Sequence, residues 1–261
     1  MMTADTAPES SAPDSRPPRG APWLFWGTTL WAIAILLTAG LVLMVCSLAG
    51  LLWLHADPRL SHEELNAILY SHWRLFAAIL AAAAASGLAV LSLAVRLSRL
   101  GAREYLGLIL PRGVDVKIGL AGLALLYASF ALATHLIGQP REPSPFAGQY
   151  QSSSSFGALA AMALELVVLA PASEELFFRG FLLRGWSVAR LGPAGAIVLT
   201  AAIWTASHGQ YAPIALAYLF CVGLLLGWLR QRSGSTLLTI FLHAINNAAG
   251  LSAIAFYDRL A

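Results

Sequence analysis

What most constrains this chain is the way its apolar residues are strung together. Seven apolar runs, at about 24–54, 75–95, 117–138, 156–178, 194–210, 212–229 and 235–256, approach or exceed the ~20 residues with which a helix crosses a bilayer. Only 11% of the residues are charged, less than half of the roughly 25% usual in soluble domains. The roughly ten-residue alternation of a transmembrane barrel is missing. The pattern predicts an all-α fold, a polytopic transmembrane helical bundle of about seven helices. The first run is overlong and contains Gly40 and Gly50, where a tilt or a break is expected. The mixed stretch SHEELNAILYSHW, residues 61–73, is expected at the membrane interface.

The charges report on topology. With a cytoplasmic N-terminus, twelve of the 16 basic residues fall on the inner side, among them Arg96, Arg99, Arg103, Arg112, Lys117, Arg184, Arg230 and Arg232. Only Arg59, Arg74, Arg141 and Arg259 fall outside, a bias of the kind cytoplasmic loops carry. The expectation is a multi-pass plasma-membrane protein with its N-terminus inside and its C-terminus outside. Arginine almost to the exclusion of lysine, with abundant alanine, points to a bacterial cell membrane. The net charge of +3 comes with no basic stripe, so the bilayer and not nucleic acid is the expected partner. Cys46 and Cys221 lie inside apolar runs, which supports neither a disulfide framework nor a zinc spacing.

Three regions are expected along the chain. Residues 1–22 are polar and rich in Pro, Ser and Ala, and read as a disordered tail rather than a signal peptide. Residues 23–155 hold the plainer, variable N-terminal helices and end in the Pro-, Gly- and Ser-rich loop 138–155. Residues 156–256 carry the polar groups that apolar helices ordinarily avoid.

Those groups form a constellation. In PASEELFFRG, residues 171–180, Glu175 and Arg179 are four apart and share a helix face, while Glu174 points about 100° away. Each ionisable group near the bilayer centre costs ~2.5–3.5 kcal/mol on insertion scales, which a structural role alone seldom justifies. If Gly192 and Pro193 form the tip of a helical hairpin, His208 lies at nearly the height of Glu174. His243 should then lie nearer the cytoplasmic end. In HAINN, His243 and Asn247 share a face, and Asn246 points elsewhere. The set suits activation of water against an amide. Glu174 would take the proton with help from His208. His243 and Asn247 would donate to the tetrahedral oxyanion. Glu175 and Arg179 would hold the helix in place. No Ser or Cys stands in a nucleophile's position. No cofactor is demanded, although Glu174, His208 and His243 could instead ligate a divalent metal such as zinc.

The order PASEELFFRG, WTASH, HAINN resembles the family of CAAX proteases and bacteriocin-processing enzymes, the Abi-type intramembrane proteases, with motifs EExxxR, FxxxH and HxxxN. Glu174, Glu175 and Arg179 match the first motif, and His243 and Asn247 the third. His208 matches the second, in which Trp204 replaces the usual Phe. REYLGL, residues 103–108, is similar to a segment often found ahead of that domain. The resemblance implies a multi-pass helical fold, in which eight helices are common, and an intramembrane endopeptidase of the metallo or glutamate type. It implies a peptide or protein substrate, including one held at the membrane. Two other readings compete: a non-catalytic immunity or scaffold protein, and a proton-coupled transporter. Glu165 reads as an interior hydrogen-bonding partner. HEEL, residues 62–65, lacks the second histidine of a zincin helix.

Overall fold

The computed structural model describes residues 22–138 and 156–258. The expectations for the N-terminal tail and for nearly all of the loop 138–155 lie outside the described residues. Every regular element described is helical. In chain order these are α1 Phe25–Trp53, α2 His62–Ser71, α3 Trp73–Leu97, α4 Ala102–Leu106, α5 Gly113–Ile137, α6 Phe156–Ser187, α7 Gly192–Ala206, α8 Pro213–Ser233 and α9 Thr236–Asp258.

Among the described residues, six helices (α1, α3, α5, α6, α8 and α9) are long and apolar enough to cross a membrane. The seventh expected span, α7, has 15 residues, about 22 Å of rise against a hydrocarbon core of ~30 Å. It stops at Ala206, short of the predicted 210, and His208 lies in the turn beyond. The first run does not break: α1 is continuous over 29 residues. Gly50 is instead where Leu75 packs against it. Helix α2 begins with a capping box, in which the Ser61 hydroxyl accepts from the Glu64 amide and the Glu64 carboxylate accepts from the Ser61 amide.

The second half of α6 is the axis of the bundle. Phe177 to Leu183 are all buried, as are Gly185 and Trp186, so this stretch is enclosed on every side. Tyr105 of α4 stacks on Phe181 with ring centroids 5.6 Å apart, and Leu226, Leu229, Leu238 and Leu242 complete the core from α8 and α9.

The ends of several helices meet at one end of the bundle. The Trp23 indole donates to the Ala94 carbonyl at 2.9 Å, and Asp115 accepts from Arg112 and Arg232 at 2.7 and 3.0 Å. Gln231 donates to the Ser187 hydroxyl. The Thr236 hydroxyl donates to the Leu106 carbonyl at 2.5 Å and accepts from Arg230 Nε at 2.8 Å. REYLGL is thereby fastened to the start of α9. Arg112, Arg230 and Arg232, assigned to the inner side from sequence, therefore lie where helices from both halves of the chain are tied together.

Candidate active site

Helix α6 is not a regular α-helix. Two π segments, Glu165–Leu169 and Leu176–Leu182, flank the six α-helical residues Ala170–Glu175 that present the glutamates. The first has a cause in the sequence. In its i→i+5 ladder the Ala170 amide donates to the Glu165 carbonyl. The next donor would be residue 171, which is proline and has no N–H. The Leu166 carbonyl is left over, and Asn247 Nδ2 donates to it at 2.8 Å. Asn247 Oδ1 accepts from Asn246, and Asn246 Oδ1 accepts from the Tyr218 hydroxyl at 2.6 Å. Asn246 and Tyr218, which the sequence did not single out, thus orient the asparagine that it did. The carboxamide of Asn247 keeps one further N–H beyond its bond to Leu166.

Glu175, Arg179 and His243 form a buried triad. Arg179 Nη1 donates to Glu175 Oε1 at 2.8 Å, and both side chains are wholly excluded from solvent. His243 Nδ1 lies 3.0 Å from the same oxygen. Arg179 Nη2 donates to the Gly223 carbonyl at 3.2 Å. An ionised carboxylate only accepts, so Nδ1 of His243 carries the proton and Nε2 is the atom left for chemistry. Among the described residues Glu175 Oε2 has no hydrogen-bond donor. The Thr239 hydroxyl lies beside the carboxylate but donates to the Thr236 carbonyl at 2.9 Å.

Glu174 turns the other way, as the 100° rotation predicts, and its Oε2 accepts from the Trp204 indole at 2.5 Å. Trp204 is fully buried. His208, one turn further on, sets its Nδ1 2.8 Å from the Trp204 carbonyl, so its Nε2 is also the free ring nitrogen. The indole lies 5.0 Å from the His208 ring and 5.3 Å from the His243 ring, with the Arg179 guanidinium 4.9 Å from its centre. In the turn after His208, burial and then the nearby Glu174 carboxylate push the Tyr211 phenol above its usual range. Glu165 is half-buried and has Glu174 as its charged neighbour.

All six predicted site residues are therefore gathered within one region, but two details differ from the sequence reading. The hairpin tip is residues 188–191, not 192–193. Glu174 lies thirteen residues before the end of α6 and Trp204 twelve after the start of α7, so the residue opposite Glu174 is Trp204, one turn ahead of His208. His243 also lies level with the glutamates and not nearer the cytoplasmic end. Helix α9 starts beside Leu106, which packs on Gly180, and climbs to Glu175 within about two turns.

The metal alternative needs Glu174, His208 and His243 to converge on one ion. Among the described residues, no three His, Cys, Asp or Glu side chains converge as a metal site requires. Glu174, His208 and His243 each pack on the Trp204 indole, and neither imidazole hydrogen-bonds to Glu174.

The fold and these contacts define a polytopic helical membrane protein with ionisable groups gathered inside the bundle. Residues 156–249 match the family described as Rce1-like, type II CAAX prenyl endopeptidase. The chain is also similar to a protein of Escherichia coli described as an uncharacterized 24.3 kDa protein. The two are 32% identical over 143 residues, which are 54% of this chain and 64% of that protein. No solved structure matches the chain.

Proposed function

We propose that this protein is an intramembrane endopeptidase that hydrolyses a peptide bond with water activated by Glu174. Residues 156–256 form the catalytic unit, and helices α1, α3 and α5 frame it in the membrane. One observation carries the reading: the ionisable groups of two separate helices, α6 and α9, and of the turn after α7 come together on a single indole.

In this mechanism Glu174 Oε1, which carries no hydrogen bond among the described residues, takes the proton of the attacking water with His208 Nε2 beside it, and that proton passes to the leaving amine as the C–N bond of the tetrahedral intermediate breaks. Asn247 gives its second N–H to the oxyanion. His243 joins it through Nε2 once that atom is protonated, with Glu175 holding the ring through Nδ1. Glu175 and Arg179 keep the loaded helix in place and do not touch substrate. The substrate is a peptide or protein that reaches the bilayer, and the arginine-rich end of the bundle is the cytoplasmic one. No step is routed through a metal.

Glu174→Ala in the full-length protein, reconstituted in vesicles with candidate membrane peptides, tests the proposal. The expected outcome is loss of cleavage with unchanged thermal unfolding and insertion. Cleavage that survives Glu174→Ala would overturn the assignment. A phenotype independent of Glu174 would favour a scaffold, and Glu174-dependent proton uptake a transporter.

A further inference from the structure

Trp204 reaches four of the six groups of the proposed site. Its N–H donates to Glu174 Oε2 at 2.5 Å, its face lies 4.9 Å from the Arg179 guanidinium, and its ring stands against both His208 and His243. Among the described residues this N–H is the sole hydrogen-bond donor to Glu174. The indole is wholly buried and can neither swing to solvent nor exchange Glu174 for water. Its backbone carbonyl also accepts from His208 Nδ1 at 2.8 Å, so the same residue fixes which nitrogen of that ring is free.

We infer that Trp204 is a positioning residue for the hydrolytic reaction: its indole N–H anchors Oε2 of Glu174 so that Oε1 alone faces the water. This rests on the peptidase reading of the site. A carboxylate on a flexible side chain has two equivalent oxygens and several rotamers, and proton transfer needs one oxygen within ~3 Å of the water. Tying down one oxygen inside the bundle removes that freedom before substrate arrives. Phenylalanine at this position would keep the buried ring beneath Arg179 but has no donor. The anchoring is therefore a property of the indole nitrogen and not of aromatic packing.

Trp204→Phe separates the two contributions. In the reconstituted full-length protein its thermal unfolding should stay close to that of the unaltered protein, because the ring is retained. Its kcat should fall about tenfold to a hundredfold, the worth of one hydrogen bond to a charged group, with KM nearly unchanged. Trp204→Ala, which also removes the ring, should lower the unfolding midpoint as well.

A second readout does not depend on turnover. The indole N–H proton resonance of Trp204, assigned by its loss in Trp204→Phe, should move upfield in Glu174→Ala. If Trp204→Phe keeps kcat within twofold while the unaltered protein cleaves peptide, the positioning role is overturned and the peptidase reading stands. A Trp204 resonance indifferent to Glu174→Ala overturns the anchoring itself. If the unaltered protein cleaves no peptide, the peptidase reading falls and takes the positioning role with it.

Discussion

Glu175 is a charged group with no access to solvent, answered by Arg179 and by the ring of His243. Pairing makes its burial tolerable, and removing one partner strands the other. Arg179→Met should therefore destabilise the protein by about 3–5 kcal/mol, read as a lowered thermal unfolding midpoint in detergent. The double variant Glu175→Gln/Arg179→Met should recover much of that loss, because no uncompensated charge is left. If the double variant is as unstable as the single one, packing and not charge is what Arg179 contributes. Glu175 and Arg179 could be paired from their spacing of four. The attachment of His243 to the same oxygen could not, because nothing local in HAINN specifies which helix it will meet.

Among the elements, α6 carries the site and departs furthest from ideal geometry. Pro171 removes a donor, the π ladder leaves the Leu166 carbonyl over, and Asn247 of α9 supplies the missing N–H. Asn247→Ala should cost about 1 kcal/mol, the low end of the penalty for an unpaired acceptor because the Leu166 carbonyl is only half-buried. Restoring the backbone donor should offset it, so a double-mutant cycle with Pro171→Ala should show the two sites coupled by ~0.5–3 kcal/mol in unfolding free energy. Additive effects would mean that Asn247 does not fill the gap left by the proline. Activity gives a different answer at this position. If Asn247 also serves the oxyanion, the double variant should regain stability but not turnover. The proline was plain in the sequence, but the π segments it accompanies were not. Apolar periodicity reports a buried helix without resolving a change in ladder from i→i+4 to i→i+5.

For the whole molecule, the decisive contact is between REYLGL and the α8–α9 corner. Gly107 has φ +68°, and a Cβ there would stand 2.3 Å from Arg230 Nη2 and 2.6 Å from the Gly234 carbonyl oxygen. Gly107→Ala therefore meets both the left-handed backbone penalty and a backbone atom that cannot retreat. Gly234 has φ +70° but meets only the Ile109 side chain, at 3.5 Å. Gly234→Ala should thus cost roughly the 1–2 kcal/mol of backbone strain, and Gly107→Ala clearly more, in matched thermal denaturation curves. Equal losses would show that the front helices are not locked to α8 and α9 through this loop.

The sequence by itself determined the solvent this chain folds in, the position of nearly every long helix, the clustering of arginines at one set of helix ends, and the residue types of the candidate site. All of these follow from one-dimensional facts: run length, period and the cost of placing charge among apolar neighbours. Only the tertiary structure decided the height at which the helices face one another. A four-residue hairpin turn and two π segments shifted the register of α6, so that Trp204 rather than His208 stands opposite Glu174. That partnership depends on packing between helices, where a shift of one turn moves a group by about 5 Å and exchanges one neighbour for another.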